Sequence, residues 1–291
     1  MPRQCAVCTA PNRATFEAVV VAGATVKDAA RTAGLPYPAA KRHIRSHRRA
    51  PALLAGPAAI VETFERASGH PAMAWQRQML EEARDTLLIK GRQVGATEVA
   101  AALAIHTARR KPGSTSAIIS PSQRQSSEVT VRARLGLWAL GETLRQDSVS
   151  LLRLANGSRI ISLPGSARGI RGYAADLVVL DEAAWISEAT FTAARPLTAA
   201  TGGRLIVQST PGAPVGPFYE LAEAVPDGWA FLKVRSDAVP TISPAFLERE
   251  RREMAPDLYA QEYEAEFALG GVGGALFSLA ELDALILKET A

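Results

Sequence analysis

The chain has 291 residues, 47% of them hydrophobic and 21% charged, with a formal net charge of +4. That composition supports a packed core and excludes a disordered polyelectrolyte. The longest apolar run, Val99 to Ile105, has seven residues, far below the roughly 18 that a membrane span needs. Residues 1 to 20 lack a charged start followed by an apolar core, so the expected location is cytoplasmic, with no membrane partner.

The charge is unevenly placed. Residues 1 to 50 hold nine Lys/Arg against two Asp/Glu, a net +7, which leaves the remainder at −3. A basic module on a mildly acidic body suggests a nucleic-acid-facing end. Within it, Arg13 to Ala22, Thr25 to Ala33 and Pro38 to Arg49 read as three helices, the second ending at Gly34. Helix, turn, helix with the basic residues last is helix-turn-helix-like. Cys5 and Cys8 open the module and His43 and His47 close it. The histidines are four apart, so on one helix they share a face. Two Cys and two His with such spacing suit a tetrahedral Zn²⁺ site. The 34 residues between the pairs exceed a C2H2 finger, and two unrelated surface thiols with two basic-face histidines are the alternative.

Pro51 to Pro71 reads as a linker around one short helix, Ile60 to Ala67. Ala74 to Leu80 starts a helix ahead of the first strand, and its Trp75-Gln76 pair suits an adenine. The ring would stack and the amide would read the base edge; the alternative is a core Trp with a surface Gln. Thr86 to Ile89 is a buried strand, Glu98 to Arg109 an Ala-rich helix, and KGRQVGAT (Lys90, Gly91, Arg92, Gln93, Val94, Gly95, Ala96, Thr97) lies between them. Strand, glycine-bearing loop and helix form the context of a phosphate-binding loop, where backbone N–H groups and a helix start gather anionic oxygens. Gly95 would let the backbone approach phosphates, and Thr97 would offer its hydroxyl to Mg²⁺. Ala96 stands where the usual lysine of a Walker A loop belongs, and the cations sit early, at Lys90 and Arg92. An ordinary β–α turn that uses Gly95 for its backbone freedom is the alternative.

Beyond the stop at Lys111-Pro112-Gly113, Ser116 to Ser120 is a strand and Ser122 to Leu140 an amphipathic helix. Asn156-Gly157 signals a two-residue hairpin between Leu151–Leu154 and Ser158–Leu163. Arg168 and Arg171 lie between glycines, able to reach a phosphate or to form a solvated basic turn. Leu177 to Leu180 is a fully buried strand that runs into Asp181-Glu182, a Walker B-like end. Ligands of open α/β sheets bind at such carboxyl edges. Asp181 would hold Mg²⁺ and Glu182 would activate the attacking water, unless Asp181 only caps the next helix. Arg204 to Gln208 and Trp229 to Val234 are further strands, and residues 243 to 267 turn helical and charged, a solvated face. Strands alternating with helices argue an α/β parallel sheet.

At this point the chain resembles the large subunits of phage terminases, the motors that pump DNA into procapsids. The resemblance runs from about Trp75 to Phe277 and rests on WQRQ, KGRQVGAT, LVVLDEAA, the Ser209-Thr210-Pro211 after the next strand, and YAQEYEAEF. It implies a P-loop NTPase (ASCE/RecA-like) α/β fold with a mostly parallel sheet flanked by helices, beside a small all-α amino-terminal module. It also implies ATP and Mg²⁺, with phosphate contacts from Lys90 and Arg92, metal ligation by Thr97 and Asp181, and Glu182 as the catalytic carboxylate. Ser209, Thr210 and Pro211 would couple hydrolysis to movement. The implied partners are double-stranded DNA, the portal of the procapsid, a small terminase subunit or a separately encoded nuclease, and further copies of the chain in a ring. The expected division is 1–50 for the basic module, 51–72 for the linker, 73–270 for the ATPase and 271–291 for a tail. Terminase large subunits continue into an RNase H-like nuclease, so the resemblance leaves that activity outside this chain, which ends at Ala291. The rival readings are a helicase-like ATPase, since DEAA is close to helicase boxes, and a decayed prophage protein that only binds DNA or assists assembly.

Overall fold

The apolar runs of the sequence become strands of one sheet in the computed structural model, which describes residues 26–36 and 58–268. Cys5, Cys8, His43 and His47, the first and third expected helices, and the tail from 271 lie outside the described residues. Among the described residues the strands are β1 (Thr86–Lys90), β2 (Thr115–Ser120), β3 (Leu144–Asp147), β4 (Leu151–Leu154), β5 (Arg159–Pro164), β6 (Leu177–Asp181), β7 (Arg204–Ser209) and β8 (Ala230–Val234). Their order across the sheet is β3-β4-β5-β2-β6-β7-β1-β8. Pairing is parallel for β6 with β7, β7 with β1 and β1 with β8, and antiparallel along β3, β4 and β5. Every residue of β1, β2 and β6 is buried, as unbroken Val/Ile/Leu runs demand of parallel strands covered on both faces.

The chain divides into two compact units. One comprises residues 1–72, 97–117 and 127–162, the other 73–96, 118–126 and 163–291. In the first, helices Ala58–Ser68, Ala96–Arg110 and Gln123–Ala139 pack closely at Gly136. A Cβ on Gly136 would meet the Ile105 Cδ1 at 2.6 Å and the Ala67 Cβ at 2.8 Å. Charges at the rim are paired: the Arg109 guanidinium donates to Glu142 at 2.9 Å, and that of Arg134 to Asp147 and to the Ser148 carbonyl, each at 2.6 Å. The hairpin forms, but its closing pair is Leu154 with Ser158. That leaves three connecting residues rather than the expected two, with Gly157 at φ 88°. Asn156 accepts from the Ser158 N–H and donates to the Ala108 carbonyl, which explains the longer turn.

In the second unit, β6, β7, β1 and β8 run side by side, so their carboxyl ends form one edge. Arg204 staples the opposite end: its guanidinium donates to the carbonyls of Met79 and Arg84 and to the Thr86 hydroxyl. Burial depresses its pKa to about 10, yet carbonyl and hydroxyl acceptors satisfy it without a carboxylate in contact among the described residues. The expected charged helical tail divides into Pro244–Glu253 and Pro256–Tyr263. Each begins at a proline, which fits the first turn because its missing N–H has no helical partner there. Leu247, Tyr259 and Tyr263 bury a small core between them, with Ile242, Phe246 and Met254 packed against it.

Candidate functional site

The loop after β1 is built by backbone geometry. Gln93 (φ 58°) and Gly95 (φ 90°) both take the left-handed region, which turns the chain tightly into helix Ala96–Arg110. Val94 and Ala96 are buried, Gln93 is exposed, and Thr97 is half-buried in the first helical turn, within the other compact unit. The base of the loop is anchored from outside. The Gly91 N–H donates to the Val234 carbonyl at 2.7 Å, the Arg92 N–H to the Glu262 carbonyl at 2.7 Å, and the Ser236 hydroxyl to the Arg92 carbonyl at 2.8 Å. A Cβ on Gly91 would lie 2.4 Å from the Ser236 Oγ and 2.8 Å from the Tyr263 carbonyl. Gly91 is therefore required for this packing.

Two strands deliver the polar side chains that meet this loop. Lys90 ends β1 and is 8% exposed; its ammonium donates to Glu182 Oε1 at 2.9 Å. Glu182 directly follows β6 at φ 54°, ψ 46°, a left-handed conformation for a non-glycine residue. Such a backbone costs roughly 1–2 kcal/mol, and it turns the chain sharply beyond the strand. On β7, between them, Ser209 donates to the other oxygen of Glu182 at 3.5 Å, and the Gln208 amide donates to Asp181 Oδ1 at 2.8 Å. The register accounts for this: Asp181 pairs with Gln208, and Ser209 with Ile89. Asp181 is buried, and desolvation pushes its carboxyl above the usual range despite the Lys90 ammonium pulling it down. Thr210 and Pro211 continue from β7 as buried residues.

Other expected residues are placed as follows. Gln76 is fully buried, not a surface amide. Its Oε1 accepts the Met73 N–H at 2.9 Å at the start of helix Ala74–Glu81, while its Nε2 and the Trp75 Nε1 are buried without a hydrogen-bond partner among the described residues. Trp75 itself is half-buried. Arg168 lies in the short helix Ala167–Ile170, which Ser166 caps by accepting from the Gly169 N–H. Arg171 follows that helix, and both arginines are exposed with no ion-pair partner among the described residues.

Two site contacts were not expected. Gln208 carries no charge, and its position beside Asp181 follows only from strand register. The charged tail is not solvated throughout: Gln261, Glu262 and Tyr263 are buried, and the Arg92 guanidinium makes a two-point ion pair with Glu262, its Nη2 at 3.2 Å from Oε1.

A family model described as the N-terminal part of the terminase large subunit, T4-like virus type, matches residues 87–284. The terminase large subunits of Thermus phage G20c and Thermus virus P23-45 are each 29% identical, over 61% of this chain and 44% of those proteins. The chain thus spans less than half the length of these curated relatives. Among solved structures, the large terminase ATPase domain of Thermus phage P74-26 is similar at a TM-score of 0.62 and 22% identity, covering 71% of this chain and 98% of that one. The large terminase of a thermophilic bacteriophage, solved in complex with ADP, is similar at a TM-score of 0.57 and 12% identity, covering 71% and 52%. At those identities the likeness is one of fold.

Proposed function

Because this chain belongs to the terminase large subunits, through the family model that spans residues 87–284, we propose that it is the ATP-hydrolysing part of a motor that drives double-stranded DNA into a procapsid. The observation that carries this reading is the meeting of Lys90 with Glu182 at 2.9 Å. The cation that opens the loop and the carboxylate that follows the acidic strand are brought to one edge of the sheet. An ordinary β–α turn gives no reason for that meeting. The relatives add to it, since the thermophilic bacteriophage's large terminase has been solved with ADP and with ATP-γ-S.

In this reading the backbone N–H groups of residues 93–96, with the Lys90 and Arg92 side chains, hold the phosphates. Asp181, an all-oxygen ligand buried at the strand end, suits a hard cation. Mg²⁺, when bound, would neutralise charge on the phosphoryl group in transfer. Glu182 orients and deprotonates the attacking water, and Ser209, hydrogen-bonded to it, passes the change at the γ-phosphate into β7 and on to Thr210 and Pro211. Trp75 and Gln76 take the adenine, the ring stacking on the base and the amide, whose Nε2 has no hydrogen-bond partner among the described residues, reading its edge. Arg168 and Arg171 are free to reach a phosphate, including that of a neighbouring copy.

The test is phosphate release from ATP by the purified chain with Mg²⁺, alone and with DNA and procapsids. Turnover above background that rises with DNA and procapsids is expected. No turnover under any of these conditions would overturn the reading.

A further inference from the structure

A guanidinium stabilises charge in a transition state only if its position is fixed beforehand. Arg168 and Arg171 are exposed, yet the stretch that carries them is fastened at both ends. Gly165 directly follows β5 and lies against the end of β2. A Cβ there would meet the Ser120 carbonyl oxygen at 2.9 Å and the Pro121 Cα at 3.3 Å. The Gly165 carbonyl accepts from the Thr190 hydroxyl at 2.9 Å, a bond between residues 25 apart in sequence. At the other end Ile170 is fully buried, and its helix, Ala167–Ile170, packs against helix Glu188–Ala194. Arg168 lies between these two anchors, and Arg171 directly follows the second.

Thr190 is the link between the two stretches. It is 0% exposed, and its β-branched side chain has little rotameric freedom. Its Oγ1 accepts from the Ser187 hydroxyl at 3.0 Å and spends its one hydrogen on Gly165. Ser187 caps the same helix by accepting from the Thr190 N–H, so the cap makes no demand on the Thr190 hydroxyl. All of this lies in the segment that leaves Glu182 through the turn Ala183–Trp185. We infer that Thr190 is a positioning residue that fixes the loop of Arg168 and Arg171 to the segment following Glu182. This rests on the proposed role of those arginines at a phosphate and deepens it. The carboxylate and the arginines of one chain ride on one body.

The experiment compares the full chain with Thr190→Val, which keeps the shape but removes the hydroxyl, and with Thr190→Ser, which keeps the hydroxyl. Phosphate release from ATP is measured with Mg²⁺, DNA and procapsids, and hydrogen exchange is followed over residues 165–171. In wild type those residues should exchange more slowly than an unprotected chain; exchange at the unprotected rate overturns the inference without any variant. Thr190→Val should raise that exchange and lower kcat about tenfold at unchanged KM, as for a misplaced group that acts in the transition state. Thr190→Ser should match wild type in both. In an Arg168→Ala, Arg171→Ala background Thr190→Val should cost nothing further, because it acts only through the arginines. Unchanged kcat in Thr190→Val overturns the inference, as does an equal loss in Thr190→Ser or in the arginine-free background. Arginine substitutions that leave turnover unchanged would instead overturn the role given to Arg168 and Arg171, and the inference with it.

Discussion

Lys90 and Glu182 meet at 2.9 Å although their strands are not neighbours: β7 runs between β1 and β6. The pair therefore closes over Ser209, which contributes its own hydroxyl to Glu182 at 3.5 Å. Three consecutive strand ends thus act on one carboxylate. Glu182 keeps a left-handed backbone in this arrangement. Strain held at one residue by surrounding contacts is a common property of sites that must be pre-set for chemistry.

On the proposed mechanism, Glu182→Gln should retain nucleotide binding and lose turnover, by roughly 10²–10⁴-fold for a general base. The amide oxygen still accepts from Lys90 and the amide NH₂ can donate to the Ser209 hydroxyl, so the local geometry is kept. Calorimetric affinity and phosphate release, measured on the same preparation, check both halves. Equal hydrolysis by the two proteins would remove Glu182 from the chemical step.

Asp181→Asn should stabilise the nucleotide-free protein at neutral pH while impairing hydrolysis. Burial raises the Asp181 pKa in the folded state, and this outweighs the Lys90 ammonium. A group with a raised folded pKa contributes its stability below the unfolded value, near 3.8, and loses it as pH rises through the folded value. At neutral pH wild type therefore carries a cost that the amide avoids, expected at about 1 kcal/mol. Denaturation at pH 7 and at acid pH tests this: the advantage of Asp181→Asn should shrink as the pH falls. An advantage independent of pH would contradict the desolvation argument.

The elements that frame this edge were legible because buried parallel strands leave unbroken apolar runs: TLLI before the loop and LVVL before Asp181 needed no partner to be recognised. β3 was not, because LRQD at the sheet margin is mostly exposed and carries no apolar pattern. The short helices Glu188–Ala194 and Pro217–Glu223 were missed as well, at seven residues each too brief for helical periodicity to show. Glu262 was read with the solvated charges of the tail because its partner is 170 residues away. A single sequence shows that a residue is charged, but burial and pairing are tertiary properties. The burial of Gln76 is likewise a tertiary property that its sequence position does not show.

Gly91→Ala should damage the protein through packing, with no need to invoke a ligand. The new methyl would lie 2.4 Å from the Ser236 Oγ, 2.8 Å from the Tyr263 carbonyl and 2.9 Å from the Ser236 N. The hydroxyl can rotate but the two backbone atoms cannot, so a loss of about 1–3 kcal/mol is expected. Gly172→Ala is the control. That glycine has φ 91° and nothing within 4 Å of an added Cβ, so only backbone strain of roughly 1 kcal/mol applies. Chemical denaturation that ranks Gly172→Ala as the more damaging change would contradict the close approach of Ser236 and of helix Pro256–Tyr263 to the loop.

His106 should make the first unit sensitive to acid. It lies on helix Ala96–Arg110, partly covered, with its Nδ1 3.4 Å from the Thr63 hydroxyl. Burial depresses its pKa from 6.5 to about 4, and the neighbouring Arg110 and Arg109 charges add to the shift. A depressed folded pKa means that the stability is present above 6.5 and is lost as pH falls through about 4. Between those limits the unfolded chain takes up a proton that the folded one refuses. Because the ring is partly solvated, the loss is discounted to about 1–2 kcal/mol. His106→Gln keeps a group able to meet Thr63 and cannot take up a proton in this range. Its stability profile between pH 7 and pH 4 should therefore be flatter than wild type by that amount. Parallel profiles for the two proteins would show that His106 titrates alike folded and unfolded, and that its burial between the helices exerts no electrostatic penalty.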